Sequence, residues 1–233
     1  SNVVGILVDD GTALYNVSFA NTVGISVDSG VVEGNRVYGN ESVGIRTESS
    51  ARVTQNAVYS NPVGIRLGAY SSAVEVSNNL LYDQGIHAIL VAWGSGHRIV
   101  NNTIAQSQGT AVRLQSVSNV DLRNNIFSLA GSVGIRVDDD AQAGFTSDFN
   151  LFDPSGGGVV GNWQGVDRVT LGDWRGAAFT DARSLVADPL FVDPDGADGV
   201  EHEARARRAG GHRGRAGRDE QGVVGLLPGH VGH

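Results

Sequence analysis

Along most of the chain apolar and polar positions alternate with a period of two, and the alternation restarts at regular intervals. Runs such as Ile25-Ser26-Val27, Ile65-Arg66-Leu67 and Ile135-Arg136-Val137 set one row of side chains inward and the next outward. That is the pattern of a half-buried strand, not of a helix with its 3.6-residue period. Each run opens on the pair Gly-Ile, at Gly5, Gly24, Gly44, Gly64 and Gly134, with Ala88-Ile89 and Ala111-Val112 filling the gap. The steps between these seven are 19, 20, 20, 24, 23 and 23 residues.

A second series keeps step with the first. It places an Asn before a short apolar run at Asn16, Asn35, Asn56, Asn79, Asn102, Asn125 and Asn150. Each repeat then accommodates three strand segments separated by turn residues: the Gly-Ile strand, a middle one such as Ala51-Arg52-Val53, and the Asn strand. One repeat cannot cover its own apolar side. Stacking the repeats about 4.8 Å apart closes a core and pairs each backbone with the turns above and below. Equivalent side chains then form columns, and an Asn column can hydrogen-bond along its length, which explains an amide recurring at a buried turn. The spacing therefore predicts an all-β, single-stranded parallel β-helix of about seven rungs. A leucine-rich repeat would need L-x-x-L-x-L spacing, and a hexapeptide coil a fixed six-residue step; neither is present.

These two series resemble the pectate-lyase-like right-handed parallel β-helix families, over about residues 1–153. The resemblance implies an Asn column between the second and third sheets and the Gly-Ile strand in the first. It is unspecific for activity, because the same coil carries lyases, hydrolases, epimerases and non-enzymes.

After Asn150 the pattern changes. Ser155-Gly156-Gly157-Gly158 is a flexible break, and Thr170-Leu171-Gly172-Asp173 reads as a helix start with Thr as N-cap. Trp174 and Phe179 are expected to face the coil, so that residues 154–199 form a capping extension with a short helix over the last rung. The stretch from Ser147 to Asp193, with its Asp188-Pro189-Leu190-Phe191 element, resembles a segment that follows β-helix rungs in large bacterial secreted or surface proteins. From about residue 200 the chain turns Arg-, Gly- and His-rich, and residues 200–233 are expected to be a disordered tail, either genuine or a shifted reading frame.

Composition narrows the partners. Residues 1–200 hold 11 Arg and 21 acidic residues, a balance of −10, which argues against nucleic acid. Cys and Met are absent and every basic residue is Arg, so disulfides and a Lys base are excluded. No run of about 18 apolar residues offers a membrane span. With no initiating Met, the chain is expected to be a processed piece of a larger secreted or surface protein, extracellular and joined to other domains of its parent.

The resemblance implies that the outward face of the first sheet forms a carbohydrate groove. The first outward column there runs Leu7, Ser26, Arg46, Arg66, Leu90, Arg113 and Arg136; the next runs Asp9, Asp28, Glu48, Gly68, Ala92, Gln115 and Asp138. A guanidinium makes a two-toothed grip on a carboxylate, so Arg46, Glu48, Arg66, Arg113, Arg136 and Asp138 are the candidate polysaccharide contacts, with Trp93 able to stack on a sugar. The bland reading is solubilising charge, with Arg46–Glu48 and Arg136–Asp138 as weak surface pairs. No cofactor is expected, although the stacked carboxylates of Asp9, Asp28 and Glu48 also permit a Ca²⁺ site.

Catalytic sets are thin. An Asp-Pro-His element like that of alginate-type epimerases is missing. If the chain is a lyase, hydrolase or epimerase, Arg113, Arg136 and Asp138 are its centre. Asp138-Asp139-Asp140 offers carboxylates of the glycosidase kind, against a plain strand-ending turn. Asp193-Pro194-Asp195-Gly196-Ala197-Asp198 resembles a Ca²⁺ loop only loosely and is read as a turn. His87 and His97 are expected to be exposed near a loop, and Tyr38, Tyr59 and Tyr82 to form a packed stack.

Overall fold

The computed structural model describes residues 2–68 and 71–191. The Asp193–Asp198 loop and the Arg-, Gly- and His-rich tail lie outside the described residues. Up to Val159–Trp163 the strands pair with their equivalents one repeat away and in parallel, not with their sequence neighbours. Val23, Val43, Val63, His87, Thr110 and Val133 stand opposite one another in unbroken register. The chain is thus a coil, laid down rung upon rung as the spacing requires.

The Gly-Ile strands, from Val4–Leu14 to Val133–Val137, form one side of the coil, and segments such as Ala51–Thr54 and Arg98–Val100 the second. Val23–Glu33 runs without a break around the corner and pairs with both Val43–Thr47 and Ala51–Thr54, so the two sides share one sheet. The third side is a separate sheet from Val17–Phe19 to Leu151–Asp153, closed by Leu185–Val186.

Inward positions fill the coil with aliphatic files. Ile25, Ile45, Ile65, Ile89, Val112 and Ile135 are fully buried, as are Val37, Val58, Leu81, Ile104, Phe127 and Phe152 on the third side. Each such side chain contributes roughly 1.5–3 kcal/mol relative to exposure. The recurrent glycine has a steric cause. A Cβ at Gly24 would come within 2.6 Å of the Gly44 carbonyl oxygen, and one at Gly44 within 2.7 Å of that of Gly64.

The Asn residues form a continuous file. The Asn35 Nδ2 donates to Asn56 Oδ1 at 3.0 Å, Asn56 to Asn79 at 3.0 Å, Asn79 to Asn102 at 3.0 Å and Asn102 to Asn125 at 3.1 Å. Asn16 begins it and Asn150 receives the bond from Asn125. The residue before each Asn is left-handed: Tyr15, Gly34, Gln55, Asn78, Asn101, Asn124 and Phe149 have φ between 54° and 67°. The amide fixes this tight corner by bonding the backbone on both sides of it. Phe19, Tyr38, Tyr59 and Tyr82 stack face to face on the third side, with ring centroids 4.7–5.2 Å apart.

The coil continues one strand past the last Gly-Ile pair. Val159–Trp163 pairs with Val133–Val137, then turns back antiparallel as Val166–Arg168 and ends the sheet. Gly161 stands where Ile135 stands one rung earlier, and a Cβ there would press on Trp174 at 2.3 Å. The missing side chain makes room for the indole of the helix Leu171–Ala178 to plug the core. Thr170 and Asp173 form the expected capping box, and Trp174 is fully buried. Phe179, expected to face the coil, is instead 91% exposed, because it takes the left-handed C-cap conformation. Asp181 ties cap to coil: its Oδ2 accepts from Trp174 Nε1 at 2.7 Å and its Oδ1 from Asn150 Nδ2 at 2.9 Å.

Candidate functional site

The outward face of the Gly-Ile side carries the charged columns. Registers place Leu7, Ser26, Arg46, Arg66, Leu90, Arg113 and Arg136 side by side on seven rungs, and Asn162 extends the column. The strands beneath are held by backbone pairing on both edges and by the buried Ile file, so the side chains stand on a rigid base. Rungs recur about every 4.8 Å.

The guanidinium groups differ in what holds them. Arg46 Nε lies 2.9 Å from Glu48 Oε1, and its Nη2 bonds Ser26 Oγ at 3.2 Å. Arg113 and Arg136 share one carboxylate, each on its own oxygen of Asp138, at 2.9 and 3.1 Å. Arg66 makes no ion pair or hydrogen bond among the described residues, and its Nε is buried without a partner. The Arg113 Nε is buried and unpartnered in the same way. Buried polar atoms are normally satisfied, so these two are exceptions along the column.

His87 lies in the column beside the arginines, half-buried. Burial, then the positive charges of Arg113 and Arg136, push its pKa down to about 4, so the ring is neutral at pH 7. His97, expected to be exposed, is fully buried. Its Nδ1 accepts from the Val74 N–H at 3.3 Å and its Nε2 faces the Trp93 carbonyl at 3.2 Å, which makes it part of the turn and not of a groove. Burial lowers its pKa also. Trp93 is 48% exposed in the turn after His87–Val91.

The three consecutive acids do not act as a pair. The strand ends at Val137, and Asp139–Ala141 is a single 3₁₀ turn. Asp138 is engaged by two arginines, whereas Asp140 accepts from the Ser116 N–H at 3.0 Å and from its hydroxyl at 2.7 Å. Those two bonds hold the Asp140 carboxyl below the usual carboxylate range, the opposite of what a general acid needs. Arg136, the three acids and Gly165 line an open hollow of about 390 Å³. The acidic column does not gather either: Asp9 and Asp28 point into solvent and Glu48 is taken by Arg46. Among the described residues no three His, Asp or Glu side chains are placed to hold a metal ion, and no helix is long and apolar enough to cross a membrane.

One feature of the scaffold escaped sequence reading. Asn21, Asn40, Asn61, Gln84 and Gln106 form a second buried amide file at the turn before the Gly-Ile strand. Its signal is an amide three to five residues ahead of five successive Gly-Ile or Ala-Ile/Val pairs, from Gly24 to Ala111, obscured by the change from Asn to Gln at Gln84 and Gln106.

A family model described as a right handed beta helix region matches residues 32–171. The chain belongs to this right-handed β-helix family. No curated protein and no solved structure matches it. The membership fixes the hand of the coil and the kind of scaffold, and leaves the chemistry of the outward face to be read from its own side chains.

Proposed function

We propose that the chain is an extracellular or cell-surface β-helix module that binds acidic polysaccharide along the outward face of the Gly-Ile side, within a larger parent protein. The observation that carries this reading is the in-register column of Arg46, Arg66, Arg113 and Arg136, interrupted only by Leu90. A flat, rigid row of guanidinium groups at rung spacing suits a linear polyanion better than a compact ligand, and Trp93 adds an aromatic surface for a sugar ring. The solubilising alternative expects Arg46–Glu48 and Arg136–Asp138 as surface pairs, and both pairs are formed, so a binding measurement is what separates it from the module.

A lyase, hydrolase or epimerase acting on acidic polysaccharide is the second reading, favoured only by the hollow beside Asp138 and Asp140. A glycan array followed by product analysis separates the two. Binding to uronic-acid or sulfated polymers without turnover supports the module; unsaturated ends or altered sugars would move the chain to the enzymes. Silence on every glycan would leave a structural spacer. Arg113→Ala with Arg136→Ala is expected to lower affinity at least about tenfold, the worth of a charge-assisted pair, while leaving the melting temperature near the parent value.

A further inference from the structure

We infer that the near end of the coil is a docking edge for one further third-side strand, of the form Asn-x-apolar-aromatic, supplied by the stretch of the parent chain that leads into Asn2. The inference takes the larger parent from the reading above and nothing from its glycan.

On the third side one sequence recurs: Asn, a variable residue, an inward residue, an aromatic, one more residue, then Asn or Gln. It stands at residues 16–21, 35–40, 56–61 and 79–84. Asn2 holds the place of Asn21 one rung earlier. Its carbonyl accepts from the Thr22 N–H at 2.9 Å, as the Asn21 carbonyl accepts from the Glu41 N–H at 2.8 Å, and each lies three residues before a Gly-Ile pair. A chain entering Asn2 by the path that enters Asn21 therefore lays a strand on Val17–Phe19.

Val17–Phe19 is the end strand of its sheet and lacks what every later strand has from the rung before. Arg36, Ala57 and Leu80 each open a strand there, and their N–H groups donate to the carbonyls of Asn16, Asn35 and Asn56 at 2.8–2.9 Å. Val17 holds the same position with no rung behind it. Asn35 Oδ1 takes the Asn16 N–H at 2.8 Å and its amide at 3.0 Å, and Asn56 Oδ1 takes the same two donors from Asn35 at 2.9 and 3.0 Å. Asn16 Oδ1 has no Asn before it. Phe19, at the end of the ring stack, is 53% exposed, whereas Tyr59 and Tyr82 are buried, so one more ring would cover its free face.

The direction of the amide row selects the occupant. A second copy turned head to head would run antiparallel and present its own Asn16 oxygen. The far end of a copy closes on Asp181, another acceptor, beside the helix plug. Neither brings Asn16 the two N–H donors it lacks; a parallel strand opening on Asn brings both.

The test lengthens the whole chain by Gly-Asn-Arg-Val-Tyr, the sequence of residues 34–38, placed directly before Ser1. Hydrogen exchange at the Val17 amide is expected to slow about tenfold, the worth of one net backbone hydrogen bond, and the melting temperature to rise. The same extension with Asp in place of its Asn meets the Asn16 oxygen with an acceptor and should lose most of the gain. In the parent gene, the codons just before Ser1 should encode Asn, any residue, an apolar residue and an aromatic. Equal effects from the two extensions, no slowing at Val17, or another sequence in the parent overturns the inference. Exchange at Val17 that slows with concentration of the unlengthened chain assigns the edge to a second copy and overturns it too. None of these readouts depends on a glycan, so the polysaccharide reading stands or falls separately.

Discussion

At the turn before the third side seven successive rungs carry the same side chain, Asn, whereas on the outward face of the Gly-Ile side the same rungs carry Leu, Ser, Arg, Arg, Leu, Arg and Arg. The two columns are built on one backbone repeat, so the difference lies in their surroundings. A buried amide must find its partners in the rungs above and below, and any change strands donors and acceptors on both sides. An outward side chain answers to water or to a ligand, and is free to differ from its neighbours. In this coil uniformity reports a structural demand on the column, and its absence reports that no such demand is made.

The contrast can be broken first at the plug. Trp174→Ala opens a cavity at the end of the coil and leaves Asp181 without its indole donor; about 3–5 kcal/mol of stability should be lost in denaturant unfolding. Within the file, Asn79→Ala leaves the Asn56 backbone N–H without its acceptor and takes one donor each from the Asn102 Oδ1 and the Val53 carbonyl. A loss of about 3 kcal/mol is expected, against less than about 0.5 kcal/mol for Arg66→Ala on the outward face. Equal effects from Asn79 and Arg66 would erase the distinction between the two columns.

Acid should sharpen it with a smaller effect. The His87 pKa falls from its ordinary 6.5 to about 4 on folding, so between those values the unfolded chain holds a proton that the folded chain does not. Its contribution is therefore fully present above about pH 6.5 and is lost as the pH drops toward 4; buried His97 shifts in the same direction. The melting temperature is expected to decline over that window. His87→Gln should flatten part of the slope while leaving the value at pH 8 almost unchanged. Asp173, held low by its bonds with the Thr170 side chain and backbone, acts only further into acid, below the ordinary carboxylate range.

The coil was legible because each rung repeats a period-two strand and a fixed turn residue, and both follow from local geometry. The Asn file and the capping box at Thr170 could be read for the same reason. The second amide file was hidden by its switch from Asn to Gln at Gln84 and Gln106. The strand Val159–Trp163 was hidden because Gly161 replaces the usual aliphatic residue, and its space is filled by a tryptophan 13 positions later in the chain. His97 looked like a loop residue because its partners, the Val74 N–H and the Trp93 carbonyl, are set by stacking and not by sequence neighbourhood. On the outward face the arginine column was readable, but which guanidinium is already occupied depends on side-chain reach across rungs.

From Asn16 to Asn125 each amide of the main file donates to the amide oxygen of the next rung, so the row has a direction, like magnets laid head to tail. Asp181, whose carboxylate accepts, is a fitting terminus at the far end, where Asn150 donates to it, and would be a mismatched one at the near end, where the amide oxygen of the first rung is the group without a rung before it. Anyone grafting rungs from this coil onto another must therefore keep the joint's sense: a segment inserted backwards would set oxygen against oxygen at one joint and N–H against N–H at the other.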